Sequence, residues 1–328
     1  MKKVIFDTDI GIDDAVALLL LEASPEVELL AIVTGFGNAS LDTTTRNALY
    51  MKERFDIAAP VHRGAAEALA ERLGDAVPDF VHGKNGLGDI ELWEPSLVPE
   101  TESGSDAIVR LAKTHPGEIS LVAVGRMTNV ARALQSCPEL PGLLKEIVIM
   151  GGVFGYNDHR GNVSPVTEAN IGGDPLAADI VLGCGAKTVV VGLDVTMETI
   201  VDNAWFEAVR DHGGDVGKLI HDSNQFYLAF HHSKSGVYEC PVHDASAIAY
   251  LLRPELFTTQ TAVVRVATDG IAIGQTIHAD PEPYYDIKAW HDRPTVEICI
   301  GVDGARVCLL YTSPSPRDRT RSRMPSSA

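Results

Sequence analysis

The chain has 328 residues, 45% of them hydrophobic and 22% charged, enough for one large core that needs no disulfide support. Its 27 basic and 45 acidic residues give a formal charge of −18. Such a charge repels nucleic-acid backbones and anionic membrane surfaces, but admits neutral polar ligands and divalent cations. Five scattered cysteines (Cys137, Cys184, Cys240, Cys299 and Cys308), with no C-x-x-C spacing, suit a reducing compartment better than a disulfide framework or a zinc site.

In chain order, only Val4–Phe6 separates the basic N-terminus from an acidic loop, too short an apolar stretch for a secretory signal. No apolar run approaches a membrane span, so a cytoplasmic protein is expected. Ala15–Glu22 then reads as a helix stopped at Ser24-Pro25, Val27–Thr34 as a buried strand, and Leu41–Arg54 as a helix. Ile119–Val124, Glu146–Met150 and Lys187–Leu193 read as strands, with helices at Asn129–Leu134 and Asp174–Leu182. Helices at Val216–His232 and Ala245–Leu252 and strand-like runs at Thr261–Val266 and Thr295–Ile300 follow. Continuous apolar strands alternating with helices predict an α/β fold, an open, mostly parallel β-sheet flanked by helices. Ligands of such sheets bind beyond the carboxyl ends of the strands, where Asp7, Asn38, Gly125 and Asp194 fall. No internal repeat and no linker interrupts residues 1–307, which read as one domain.

The acidic loop is Asp7-Thr8-Asp9-Ile10-Gly11-Ile12-Asp13-Asp14. Four carboxylates so close repel one another, and a hard divalent cation with oxygen ligands relieves the strain. A helix cap would account for one Asp, not four. An EF-hand fails, because its twelfth position is Leu18 instead of a bidentate Glu. A magnesium-dependent phosphatase of the haloacid-dehalogenase type fits Asp7-Thr8-Asp9, with Asp7 as nucleophile, but leaves Asp13 and Asp14 unexplained.

The whole string resembles the signature of the inosine–uridine nucleoside hydrolase family, with Ile10 where members usually carry Pro. The resemblance runs through residues 1–307. It includes Gly37-Asn38, the mobile-loop motif His82-Gly83-Lys84-Asn85-Gly86-Leu87-Gly88, and Val124-Gly125-Arg126-Met127-Thr128-Asn129, where Arg126 stands in place of the usual Gly or Pro. Met150-Gly151-Gly152, Gly161-Asn162, Glu168-Ala169-Asn170 and Val242-His243-Asp244 continue it.

A Rossmann-like nucleoside hydrolase fold is implied, with hydrolysis of the N-glycosidic bond of a ribonucleoside to ribose and free base. By resemblance, calcium is held by Asp9, Asp14, Asp244 and the Val124 carbonyl, and Asp9 accepts a proton from the calcium-bound water that attacks the anomeric carbon. Asp13, Asn38, Asn162, Glu168, Asn170 and Asp244 are implied to hold the ribose hydroxyls. His243 is the candidate acid for the leaving base, and His82 and His231 face base or ribose. Because Trp93, Trp205 and Trp290 fall in no segment assignable to the base, pyrimidine or broad inosine–uridine activity is expected over a purine-stacking site. A homodimer or homotetramer is expected, with no nucleic-acid or membrane partner. The non-enzymatic alternative is a nucleoside-binding protein on the same fold.

From Cys308 the chain changes to a Ser-, Pro- and Arg-rich stretch without apolar period. Residues 308–328 resemble a translated sequencing adapter and are expected to be a non-native tail that replaces a final element cut near Val307.

Overall fold

A computed structural model describes residues 1–70, 77–282 and 287–310. The first half runs β1 (Lys2–Thr8), α1 (Ile12–Ala23), β2 (Val27–Thr34), α2 (Leu41–Phe55), β3 (Val61–Arg63), α3 (Asp79–His82) and α4 (Gly104–Thr114). It continues through β4 (Ile119–Ala123), α5 (Thr128–Ser136), α6 (Leu140–Leu143) and β5 (Glu146–Met150). Next come α7 (Ala169–Gly173), α8 (Pro175–Leu182), β6 (Thr188–Val191), α9 (Leu193–Thr196), β7 (Ile200–Asp202) and α10 (Asn203–His212). The described chain ends with α11 (Gly214–Ser235), β8 (Glu239–Pro241), α12 (Asp244–Leu252), β9 (Phe257–Val266), β10 (Thr276–Ala279), β11 (Thr295–Val302) and α13 (Gly304–Leu310).

Nine strands form one sheet in the order β10-β9-β11-β6-β5-β4-β1-β2-β3. Pairings from β3 through β6 to β11 are parallel, and β9 and β10 add antiparallel strands at one edge. The expected mostly parallel sheet is therefore present, with its exception at the late strand-like runs. Every residue of β4, β5 and β6 is buried, which explains their predominantly apolar sequences; the buried Ser120 and Glu146 pair with each other.

Alternation still governs which face each side chain joins. Val4, Phe6, Val122, Val148 and Val189 enter one core, beneath α1, α11 and α12. Ile5, Leu121, Ile147 and Val190 enter the other, beneath α4, α5 and α8. Each such side chain contributes roughly 1.5–3 kcal/mol by leaving water. Both faces of the sheet are thus needed to hold the strand ends in register.

Local chemistry sets the helix ends. Ser40 accepts a hydrogen bond from the Thr43 N–H to open α2, and Asp56 closes it in a left-handed conformation (φ 54°). The sequence reading misses β3, only three residues long, and α4, which Ser103 caps through the Asp106 N–H. The domain boundary expected at Val307 falls inside α13, and residues 311–328 lie outside the described residues. Among the described residues, no helix is long and apolar enough to cross a membrane.

Candidate active site

The order β3-β2-β1-β4-β5-β6 reverses direction between β1 and β4, so the loops leaving these strands diverge and open a crevice at their carboxyl ends. The acidic loop leaves β1 there, and Val124-Gly125 leaves β4 beside it, with the Val124 N–H donating to the Asp7 carbonyl at 2.9 Å.

Asp14, in the first turn of α1, is fully buried and accepts four hydrogen bonds. They come from the Thr8 hydroxyl, the N–H groups of Asp9 and Gly11, and the Asn38 side-chain amide at 2.8 Å. The Gly11 contact is one half of a capping box, so Asp14 both starts the helix and faces the crevice. Asp9 accepts the Asn38 N–H on Oδ2 at 2.7 Å. Its Oδ1 is buried without a hydrogen-bond partner, as is Asp13 Oδ1. Asp244 arrives from the opposite end of the chain, in the first turn of α12, where the helix dipole favours its charge.

Asp13, Asp14 and Asp244 bring carboxylate oxygens within 4.8 Å of one another. This tight trio contains Asp13, which the resemblance assigned to ribose, while Asp9 stands beside it. Two glycines make room for Asp9: a Cβ on Gly37 would lie 1.7 Å from Oδ2, and one on Gly125 would lie 2.7 Å from Oδ1.

Burial, then mutual repulsion, pushes the carboxyls of Asp9, Asp14 and Asp244 above their ordinary range. Burial raises Asp13 to about 6. Buried all-oxygen donors of this kind, with Asp9 Oδ1 and Asp13 Oδ1 left without a partner, fit a hard divalent cation, whose charge would reverse these shifts.

On the far side, Glu168 caps α7, accepting the N–H groups of Asn170 on one oxygen and of Gly152 and Ile171 on the other. The Asn170 amide donates to the Val124 carbonyl at 2.6 Å. Asn162 is exposed and accepts the Ala169 N–H at 3.0 Å, so it braces the same turn.

Three predicted histidines also gather here. His243 hydrogen-bonds Thr196 through Nδ1 at 2.8 Å, and burial, with His231 and His82 nearby, lowers its pKa to about 3. His82 Nδ1 accepts the Ile12 N–H, and burial lowers His82 to about 4. His231, on α11, is likewise lowered to about 4 by burial.

Tyr227 packs between His82 (6.1 Å, near-parallel rings) and His231 (4.5 Å, edge-on). Sequence reasoning missed Tyr227, although its i, i+4 spacing from His231 places both on one helix face. It set Trp205 aside as falling in no segment assignable to the base, whereas Trp205 lines a small cavity with Asp13, Asn224, Tyr227 and Cys240. Asp7 is not part of the trio. One of its oxygens accepts the Asn129 amide at 2.8 Å, and burial raises it to about 7. That buried amide contact is a poor setting for the phosphatase nucleophile the sequence left open.

A profile of the family described as inosine-uridine preferring nucleoside hydrolase matches residues 4–308. The chain is 39% identical over 316 residues to the probable uridine nucleosidase 2 of Arabidopsis thaliana, covering 94% of this chain and 96% of that one. A plant nucleoside hydrolase, PpNRh1, superposes with a TM-score of 0.90 at 35% identity, over 95% of this chain and 98% of that one. A purine-preferring ribonucleoside hydrolase from Gardnerella vaginalis superposes with a TM-score of 0.87 at 32% identity, over 95% and 97%. The acidic loop, the crevice it lines and these likenesses agree: the chain belongs to the inosine-uridine preferring nucleoside hydrolase family and is a hydrolase of ribonucleosides.

Proposed function

We propose that this enzyme hydrolyses pyrimidine ribonucleosides, uridine foremost, with a calcium ion held at Asp9, Asp14, Asp244 and the Val124 carbonyl. The observation that carries this is the buried carboxylate trio with the unpartnered Asp9 Oδ1 beside it. Asp13 stands within the same trio and either joins the ion or holds a ribose hydroxyl. Bound calcium would supply positive charge that anchors the ribose hydroxyls and makes a water at the site easier to deprotonate.

The protein's own groups do the rest. The Asn38 N–H fixes Asp9 Oδ2, which leaves Oδ1 aimed to accept the proton of the attacking water. The carboxylate-rich wall favours the positive charge that develops on the ribosyl ring as the base departs. Thr196 orients His243, which is neutral at pH 7 and so serves the leaving base as a hydrogen-bond donor in place of a charged acid. His82, Tyr227 and His231 make an aromatic wall for the base, and Asn170 ties the ribose side to the Val124 carbonyl. The uridine preference is supported by the name of the plant relative at 39% identity, above the 32% shared with the purine-preferring structure.

The test is base release from uridine, cytidine, inosine, adenosine and 2′-deoxyuridine, with and without a chelator. Expected are fastest release from uridine, at least about 100-fold slower turnover of the deoxy sugar, and loss of activity on chelation that calcium restores. Purine release faster than uridine release would overturn the base assignment. Full activity in chelator would overturn the metal assignment.

A further inference from the structure

Arg126 takes no part in the steps assigned to the other residues. Its guanidinium carbon lies 4.4 Å over the Phe36 ring centroid. Its stem covers Gly173 so closely that a Cβ there would come within 2.2 Å of Nε. Phe36 immediately precedes Gly37, the residue packed on Asp9 Oδ2, and Gly173 ends the helix that Glu168 caps. Ring and glycine thus fix a permanent cation between the segments bearing on Asp9 and on Glu168.

We propose that Arg126 is a built-in counter-charge of the acidic pocket, which holds the carboxylates together before a divalent cation arrives and weakens the binding of that cation once it does. This rests on the reading of the pocket as a cation site. Guanidinium stays protonated at every pH where a protein folds, so the charge is constant. It also holds the Asp9 and Glu168 carboxyls lower than their burial alone would. A divalent ion entering among the same carboxylates meets twice the repulsion a monovalent ion would.

The test compares the wild-type chain, Arg126→Met, which keeps the apolar stem over Gly173, and Arg126→Lys, which keeps the charge. Each is stripped with chelator. The calcium dissociation constant is then measured by calorimetric titration, and thermal midpoints are measured without metal. Expected for Arg126→Met are roughly tenfold tighter calcium binding and a lower metal-free midpoint, with Arg126→Lys close to wild type in both. Unchanged or weaker calcium binding by Arg126→Met, or an unchanged metal-free midpoint, overturns the proposal. If the wild type takes up no calcium, the cofactor reading falls on its own. The metal-free midpoint then decides alone: lower in Arg126→Met supports the counter-charge, and equal overturns it.

Discussion

Asp14 is the residue with the most tasks: it accepts four hydrogen bonds that shape the acidic loop, and it offers its carboxylate to the trio. His243 is a neutral group held by one hydroxyl. Replacing Asp9 or Asp14 with Ala should therefore lower kcat/KM by about 10³-fold or more for every nucleoside, because charge stabilisation is lost whatever the base. Replacing His243 with Ala should cost less, and unevenly across bases, in line with the departure of the base. Equal losses from all three variants on each nucleoside would sink this division of labour. Asp7 gives a pH-dependent prediction. Its carboxyl, ordinarily near 3.8, holds its proton to about 7 in the folded chain, chiefly through burial. The folded state thus binds a proton that the unfolded state has released, and stability from this group declines as pH rises from about 4 to about 7. Asp7→Asn should gain stability relative to wild type over that window, by up to roughly 2–4 kcal/mol at pH 8 and nothing at pH 4. Thermal midpoints across pH check it; a difference that does not grow with pH refutes it. The acidic string was legible because its members are neighbours in sequence. Tyr227 and Thr196 were not, and Asn129, though part of a quoted motif, gave no sign of its bond to Asp7, because only the packed fold brings these residues to their partners.

Among the elements, α2 shows how the loops are joined. Its Asn47 is fully buried and donates to the Ile10 carbonyl at 3.1 Å and the Asn85 carbonyl at 3.0 Å. One amide therefore clamps the acidic loop to the segment that follows His82. Asn47→Ala would leave the buried Ile10 carbonyl short of a donor, at about 1–3 kcal/mol, while the Asn85 carbonyl keeps Arg46, and it should raise KM more than it lowers kcat, since the acidic loop loses its tie to the segment after His82. A melting curve and KM both equal to wild type would dismiss the clamp. Long, mostly apolar elements such as β2 and β5 were legible to the residue, because burial favours runs rich in Val, Ile and Leu. The three-residue β3, β7 and β8 were not, because so short a run carries no period. Helix α4 was missed although Ser103 and Asp106 sign its start.

For the molecule as a whole, the reversal of strand order between β1 and β4 gathers groups as distant as Asp9 and Asp244 into one crevice. Three carboxylates sit there in the first turns of α1 and α12, and the helix dipoles offset only part of their repulsion. Calcium should therefore raise the thermal midpoint, increasingly with concentration above its dissociation constant, and a chelator should lower it. A midpoint indifferent to both would contradict a cation in the crevice. The topology was legible in outline, since alternating strands and helices specify a parallel sheet. The position of the last strand was not, because pairing partners across the sheet leave no local mark. That position matters for how the chain is made. Strand β11, at residues 295–302, inserts between β6 and β9 and, among the described strands, pairs the parallel part of the sheet with the antiparallel pair. Until it emerges from the ribosome, the nascent sheet ends at an unprotected β6, and β9 can pack only on α8, where Asp179 holds Arg265 and the Val266 N–H. Residues 1–294 are made before that edge is covered, so chaperones that shield bare strand edges should stay with this polypeptide until β11 has emerged.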